Sequence, residues 1–200
     1  RFPVWVWWVG CLAAIALIAG GAVYFIRGER TRVPNEFVEK RNAVAKILGD
    51  TAKAGDIDIT PLVELEKAKD YAGAVALMER ALAANAIHQQ FAATLTTLAA
   101  DLTALAPSVE PASLAGKAET AATSLAALAA AERQYYEDRG TLYEVTKGYY
   151  ATLAAKEKAP IPENLAALVD TVNADFTRSQ EARRSFSTAI TEFDAAVEKR

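Results

Sequence analysis

Chemistry in this chain would have to be built from few parts, because it holds one histidine, His88, and one cysteine, Cys11. A di-metal site in a helical bundle needs two Glu-x-x-His pairs, and a zinc centre of several imidazoles needs more than one ring. Composition excludes both. Cys11 lies within a long apolar run, which removes it as a thiol nucleophile. Neither a glycine-rich phosphate loop nor a G-x-S-x-G nucleophile turn occurs. No catalytic, metal-binding or cofactor-binding residue is assigned, no cofactor is expected, and the chain does not read as an enzyme.

The polar side chains that could act together are His88, Glu132, Arg139 and Arg183. Folding the chain back about residues 107–111 sets His88 opposite Glu132. Folding it about Pro160 sets Arg139 near Glu181 and Arg183 near Glu137. A polar layer of this kind within an apolar core fixes helix register, or lets long side chains reach water from the edge of the seam. Binding of a small polar ligand is the other reading. Tyrosines crowd the same stretch at 135, 136, 143, 149 and 150. The pairs 135/136, 142/143 and 149/150 recur every seven residues, so Tyr136, Tyr143 and Tyr150 line one ridge beside the core seam. That ridge either packs into the core or forms a partner surface, where tyrosine gives large contact area at low entropy cost.

Helices must position these groups. Ala, Leu, Glu and Lys dominate, and Gly and Pro fall at a few points that punctuate long periodic runs. The first helix starts near Pro34 and Asn35 and ends near Ala54, closed by Gly55 and Asp56. The second opens at Thr60 and Pro61, a capping residue followed by proline at the first helical position. It is interrupted near Asp70 to Gly73 and then continues to about Ala106. After the loop at 107–111 a third helix runs to about Lys158, and Pro160 and Pro162 turn the chain into a fourth. Few or no strands are expected.

The seams follow alternating steps of three and four. In the last helix they pass through Leu165, Leu168, Val172, Phe176, Ser179, Arg183, Phe186, Ile190, Phe193 and Val197. In the third they pass through Leu114, Ala118, Ala121, Leu125, Leu128, Glu132, Tyr135, Arg139, Leu142, Thr146, Tyr149 and Leu153. The second carries Val75, Met78, Leu82, Ile87, Phe91, Leu95, Leu98, Leu102 and Leu105, with an irregular step between Leu82 and Ile87. Short connections make sequential neighbours antiparallel.

Residues 2–26 contain no charged side chain. A helix of that length rises about 37 Å, more than the roughly 30 Å hydrocarbon core of a bilayer. The run is too long for a signal peptide and closes on Arg27, Arg30 and Arg32, so it reads as an anchor that stays. Trp5, Trp7 and Trp8 at one end and Tyr24 and Phe25 at the other suit the two headgroup zones. Arg1 is an unusual first residue, and the start of the chain is expected upstream. The fold class is therefore all-α: an N-terminal transmembrane helix (1–27), a linker (28–33) and a long antiparallel up-and-down helical bundle (34–200). Arg27, Arg30 and Arg32 follow the anchor and only Arg1 precedes it, so the positive-inside rule leans toward a cytoplasmic bundle.

The chain carries 22 Lys and Arg against 25 Asp and Glu, a net charge of −3. Setting aside Arg1, Arg27, Glu29, Arg30 and Arg32 leaves a more acidic remainder, which argues against nucleic acid as a partner. The residues after the anchor contain no cysteine, so disulfides are excluded there.

The last twenty residues, EARRSFSTAITEFDAAVEKR, match the pattern A-R-R-x-Y-N-x-A-V-x-x-Y-N-x-x-V at Ala182, Arg183, Arg184, Ala189 and Val197, with Phe186, Ile190 and Phe193 as close substitutes. Asn35, Phe37, Val38, Arg41, Asn42 and Val44 follow N-x-L-V-x-L-R-N-x-V, and Asp58, Ile59, Pro61, Leu62 and Val63 follow D-L-I-P-N-L-V loosely. These segments and their order resemble the LemA family of membrane-anchored helical proteins, over about two fifths of the chain. Leu48 stands where the family has Trp, and Ser187 and Asp194 replace its two helical Asn. The resemblance implies topology rather than activity.

Residues Asp70, Tyr71, Ala74, Ala81, Leu82 and Asn85 are placed as in half of a tetratricopeptide repeat. No second copy follows, so the segment reads as a helix-turn-helix bend. The expected function is binding: a single-pass bacterial membrane protein, coupled to the bilayer through its first helix and to a protein partner through its bundle, as a scaffold or accessory subunit. The alternative is the extracytoplasmic ligand-binding domain of a receptor-like sensor, which would normally return to the membrane through a second span.

Overall fold

The computed structural model describes residues 31–199 apart from 157. The expected anchor over residues 1–27, with Cys11 and the flanking aromatic residues, lies outside them. Among the described residues no helix is long and apolar enough to cross a membrane.

The described chain is a helical bundle without strands. Helices run over Asn35–Ala54 (α1), Leu62–Lys67 (α2), Tyr71–Leu105 (α3), Ala112–Lys156 (α4) and Leu165–Glu198 (α5), with a 3-10 turn at Ala106–Ser108. Each break has a local cause. Gly55, directly after α1, has φ +65°, the left-handed conformation that ends a helix at little cost when no Cβ is present. Thr60 does not cap the next helix as expected. Its N–H instead donates to Asp58 Oδ1 at 2.9 Å, and α2 begins one residue later, with Pro61 at its N-cap.

The bend between α2 and α3 is specified from both sides. Asp70 N–H donates to Leu65 O at 2.9 Å and Lys69 N–H to Glu66 O at 3.0 Å, the paired bonds that close a helix around a left-handed residue, here Lys69 at φ 57°. Asp70 then caps α3 by accepting Gly73 N–H at Oδ1, 2.9 Å. At the next turn, Arg32 and Glu110 exchange backbone hydrogen bonds of 3.1 and 2.9 Å, an isolated antiparallel bridge.

The residues sort into two units. Among the described residues, one combines 31–53 with Ala92–Ala130 and 180–199; the other combines Ala54–Phe91 with Ala131–Ser179. In the first unit the core is aliphatic and alanine-rich, built on Phe37, Val44, Leu95, Leu102, Leu114, Leu125, Leu128, Phe186 and Phe193. Phe37 and Phe193 pack with ring centroids 5.3 Å apart. Charged pairs lie toward its edge: Lys40 Nζ meets Asp101 Oδ2 at 2.7 Å, and Arg41 pairs with Asp194. Burial holds the Asp194 carboxyl above the usual aspartate range, against the opposing pull of Arg41.

In the second unit α3 and α4 are antiparallel, since Asn85 meets Tyr136 while Tyr71 stacks on Tyr150 at 6.4 Å. The α5 segment is antiparallel to α4 as well, with Glu132 bonded to Ser179 and Asp138 beside Asp175. Two small apolar clusters form here, one of Leu77, Met78, Ala81 and Tyr143 and one of Ala74, Tyr150 and Leu153. Tyr150 OH bonds Glu66 Oε2 at 3.2 Å, and burial together with that carboxylate pushes its phenol up to about 12.

Three seam assignments change. Tyr136, Tyr143 and Tyr150 are buried, so the ridge expected beside the core is the core itself, and the partner surface considered for these rings is corrected. Ile87 is exposed, and the irregular step before it is resolved by Asn85 and His88, which carry the seam from Ala81 to Ala92. On α5 the buried residue is Asp175 rather than Phe176, whose ring rests against Tyr135 at 5.6 Å while staying 40% exposed.

Candidate functional site

The second unit buries a connected set of polar side chains from three places in the chain. Helix α3 supplies Asn85 and His88, one turn apart on its inward face. Helix α4 supplies Arg139, with Tyr135, Tyr136 and Tyr143 within four residues on either side. The segment after Gly55 supplies Asp56.

Arg139 is the hub. Its Nε donates to Asn85 Oδ1 at 2.7 Å, and its Nη1 donates to Asp56 Oδ1 at 2.7 Å and to Tyr135 OH at 3.2 Å. The guanidinium carbon lies 5.1, 4.8 and 5.8 Å from the ring centroids of Tyr135, Tyr136 and Tyr143. Such contacts favour a cation that has left water. Burial works against the charge, but the Tyr135 and Asp56 oxygens outweigh it and hold Arg139 above the ordinary arginine range. The same burial raises the phenols of Tyr135 and Tyr143, opposed by the Arg139 charge.

Asn85 is bonded through both its polar atoms. While its oxygen accepts from Arg139, its Nδ2 donates to the carbonyl of Tyr136 at 2.8 Å, and Gln89 Nε2 reaches the same carbonyl at 3.1 Å. This approach to the α4 backbone requires a small residue opposite. That residue is Gly140, where a Cβ would come within 3.0 Å of Asn85 Nδ2.

His88 lies flat on Tyr136, centroids 5.0 Å apart and planes 8° from parallel, with Phe91 edge-on at 6.2 Å. Its Nε2 is 2.9 Å from the carbonyl of Gly55 and 3.4 Å from Asp56 Oδ1. A carbonyl only accepts, so Nε2 carries the hydrogen. In the neutral ring Nδ1 is then a bare acceptor, buried without a protein partner. His88 and Arg139 together tether residues 55 and 56 onto the α3–α4 pair.

Of the four residues expected in one polar layer, His88, Glu132 and Arg139 belong to this unit and Arg183 to the other. His88 and Arg139 converge on Asp56. Glu132, two helical turns from Arg139 along α4, accepts from Ser179 Oγ at 3.1 Å. Asp56 and Asn85, which lie outside the expected layer, are the side-chain partners that Arg139 meets. Asn85 was detectable, since it lies one turn from His88 on the same helix face. Asp56 was not, because a loop carboxylate has no periodicity. Among the described residues, no three His, Cys, Asp or Glu side chains gather as metal ligands.

What this arrangement can do chemically is hold a loop in place and orient buried dipoles, since each polar atom of Arg139 and Asn85 described above is engaged by a neighbour. No protein family, curated protein or solved structure matches the chain.

Proposed function

We propose that this is a membrane-anchored binding or scaffolding protein, an accessory subunit of a membrane assembly, and that its second unit makes the partner contact. One observation carries the choice of unit. Among the described residues, the large apolar side chains left exposed are Ile57, Ile59, Val63, Ile87, Ile161, Val169 and Phe176, and all belong to that unit. Single exposed apolar residues are ordinary, whereas Ile57, Ile59 and Val63 crowd into seven residues of chain. The anchoring part rests on the uncharged stretch 2–26, and the acidic balance of the rest favours a protein partner over nucleic acid. The LemA-like reading is supported by the meeting of two segments that carry it: Phe37 packs on Phe193, and Arg41 pairs with Asp194.

The test is co-purification of the detergent-solubilised full chain with its partner, for the wild type and for the double variant Ile57→Asp, Val63→Asp. Loss of the partner with unchanged thermal melting supports the reading. Undiminished co-purification overturns the assignment to this unit.

A sensor is the second reading, favoured by the unpartnered Nδ1 of His88 in its buried polar setting. Protease added outside intact cells separates the two: digestion of the bundle fits an extracytoplasmic sensor, and protection fits the cytoplasmic side to which the flanking arginines lean.

A further inference from the structure

Arg139 and Asp56 are an unequal pair. The arginine side chain is 5% exposed and that of Asp56 is 58% exposed, so a cation built into α4 is matched by a carboxylate standing largely in water. A buried charge is costly unless an opposite charge meets it, and here the group that meets it comes from the segment between α1 and α2. The fixed half of the pair is the cation.

The other groups described on the guanidinium come from helices. Tyr135, Tyr136 and Tyr143 lie against it from α4, and its Nε is held by the neutral amide oxygen of Asn85 from α3. Nη1 gives one hydrogen bond to the Tyr135 hydroxyl and the other, at 2.7 Å, to Asp56 Oδ1. His88 Nε2 of α3, in a side chain 4% exposed, stands 3.4 Å from the same Oδ1. Two buried helix side chains therefore converge on one oxygen of an exposed carboxylate.

That oxygen is not what fastens the backbone beside it. Gly55 O accepts from His88 Nε2 at 2.9 Å, so the segment stays tethered while the Asp56 side chain rotates about its own bonds into solvent. For a carboxylate already mostly hydrated, the move loses little solvation energy. What it uncovers is a desolvated arginine N–H with its charge unmatched, the group best suited to bind a carboxylate.

We propose that Arg139, flanked by Tyr135 and His88, is a binding site for a carboxylate ligand, and that Asp56 is its built-in occupant, displaced when the ligand arrives. The ligand oxygen takes the place of Asp56 Oδ1 on Arg139 Nη1. Its source is either a small free acid or the C-terminus of a peptide. A tethered group competes at high effective concentration, so the ligand binds weakly while Asp56 is present and more tightly once it is removed. The site uses none of the exposed apolar side chains assigned to the partner contact, and its failure leaves that contact standing.

Nitrogen NMR of the full chain in detergent, with arginine labelled, tests the proposal through the Arg139 Nε–H signal, identified by its loss in Arg139→Met. Sodium acetate is the first probe, with sodium chloride at equal ionic strength as control. The signal should shift saturably with acetate and not with chloride, and Asp56→Ala should lower the acetate half-saturation by at least about tenfold. In Asp56→Ala, a response no larger than that to chloride, or a half-saturation equal to that of the wild type, overturns the proposal. The wild type gives a reading that needs no variant. Its Asp56 carboxyl carbon should move toward the value of a hydrated carboxylate in step with the Arg139 signal; an Asp56 signal that stays in place while Arg139 saturates overturns the proposal. N-acetylalanine, which carries its carboxylate on a peptide unit, separates the two sources: binding tighter than acetate supports a chain terminus, and binding no tighter supports a free acid.

Discussion

The first unit buries apolar surface and the second buries bonds. Among the described residues, the first has Arg41 and Thr51 as its buried polar side chains, whereas the second has Asn85, His88, Glu132, Arg139, Asp175 and Ser179. The difference follows from composition along the same helices. Helix α4 carries Leu114, Ala118, Leu125 and Leu128 on its inward face in its first half, then Glu132, Tyr136, Arg139 and Tyr143 in its second. Apolar contact is non-directional and scales with area, so such a core tolerates adjustment. A hydrogen-bonded network has fixed partners, and removal of one member strands the others.

The first way to break that contrast is Phe193→Ala. Its ring is buried against Phe37, so the variant should lose about 3–5 kcal/mol through lost transfer energy and the cavity left behind. Phe186→Ala should behave similarly. Thermal melting of the full chain measures the loss, and amide hydrogen exchange should speed first in residues 92–130 and 180–199. Unchanged melting would mean that the first unit does not depend on this aromatic contact.

Arg139→Met tests the second unit. The buried Asn85 oxygen loses its donor, while Asp56, at 58% side-chain exposure, returns to water; the expected loss is about 1–3 kcal/mol. Arg139→Lys should not restore it, because a single ammonium cannot reproduce the two-sided geometry of the guanidinium. Hydrogen exchange should rise around residues 55–56 and 85–89. Rescue by lysine would show that charge alone, rather than the fork of bonds, holds the network.

The smallest effect concerns the bend between α2 and α3. Lys69 adopts a left-handed conformation that disfavours any residue with a Cβ, so Lys69→Gly should stabilise the second unit by up to about 1 kcal/mol. Gly73→Ala should act in the opposite direction, since a Cβ there would come within 2.4 Å of the Asp70 carboxylate that caps α3. Melting temperatures of the two variants on either side of the wild type would sharpen the role of this turn.

Helix boundaries were legible in the residues because punctuation is a local matter. Gly55 ends α1, Asp70 caps α3, and residues 107–111 separate α3 from α4, each through its own backbone preference or short-range bond. The aliphatic seam of the first unit was legible for a related reason, since Leu and Phe at helical spacing have one stable place to go. Where polar residues enter the core this reasoning weakens. After Val172 a step of three or of four is equally helical, and hydrophobicity favours Phe176, yet Asp175 is the residue turned inward, where Asp138 lies beside it. The same ambiguity separates Tyr135 from Tyr136. Asp56 lies in a loop without period, and only the folded chain brings it to Arg139 and His88. Local sequence thus determined where helices begin, where they end and which aliphatic faces are buried, because those depend on neighbours within a few residues. The choice of polar partners fell to the tertiary structure, because a buried charge is tolerated only where a complementary group from another element meets it.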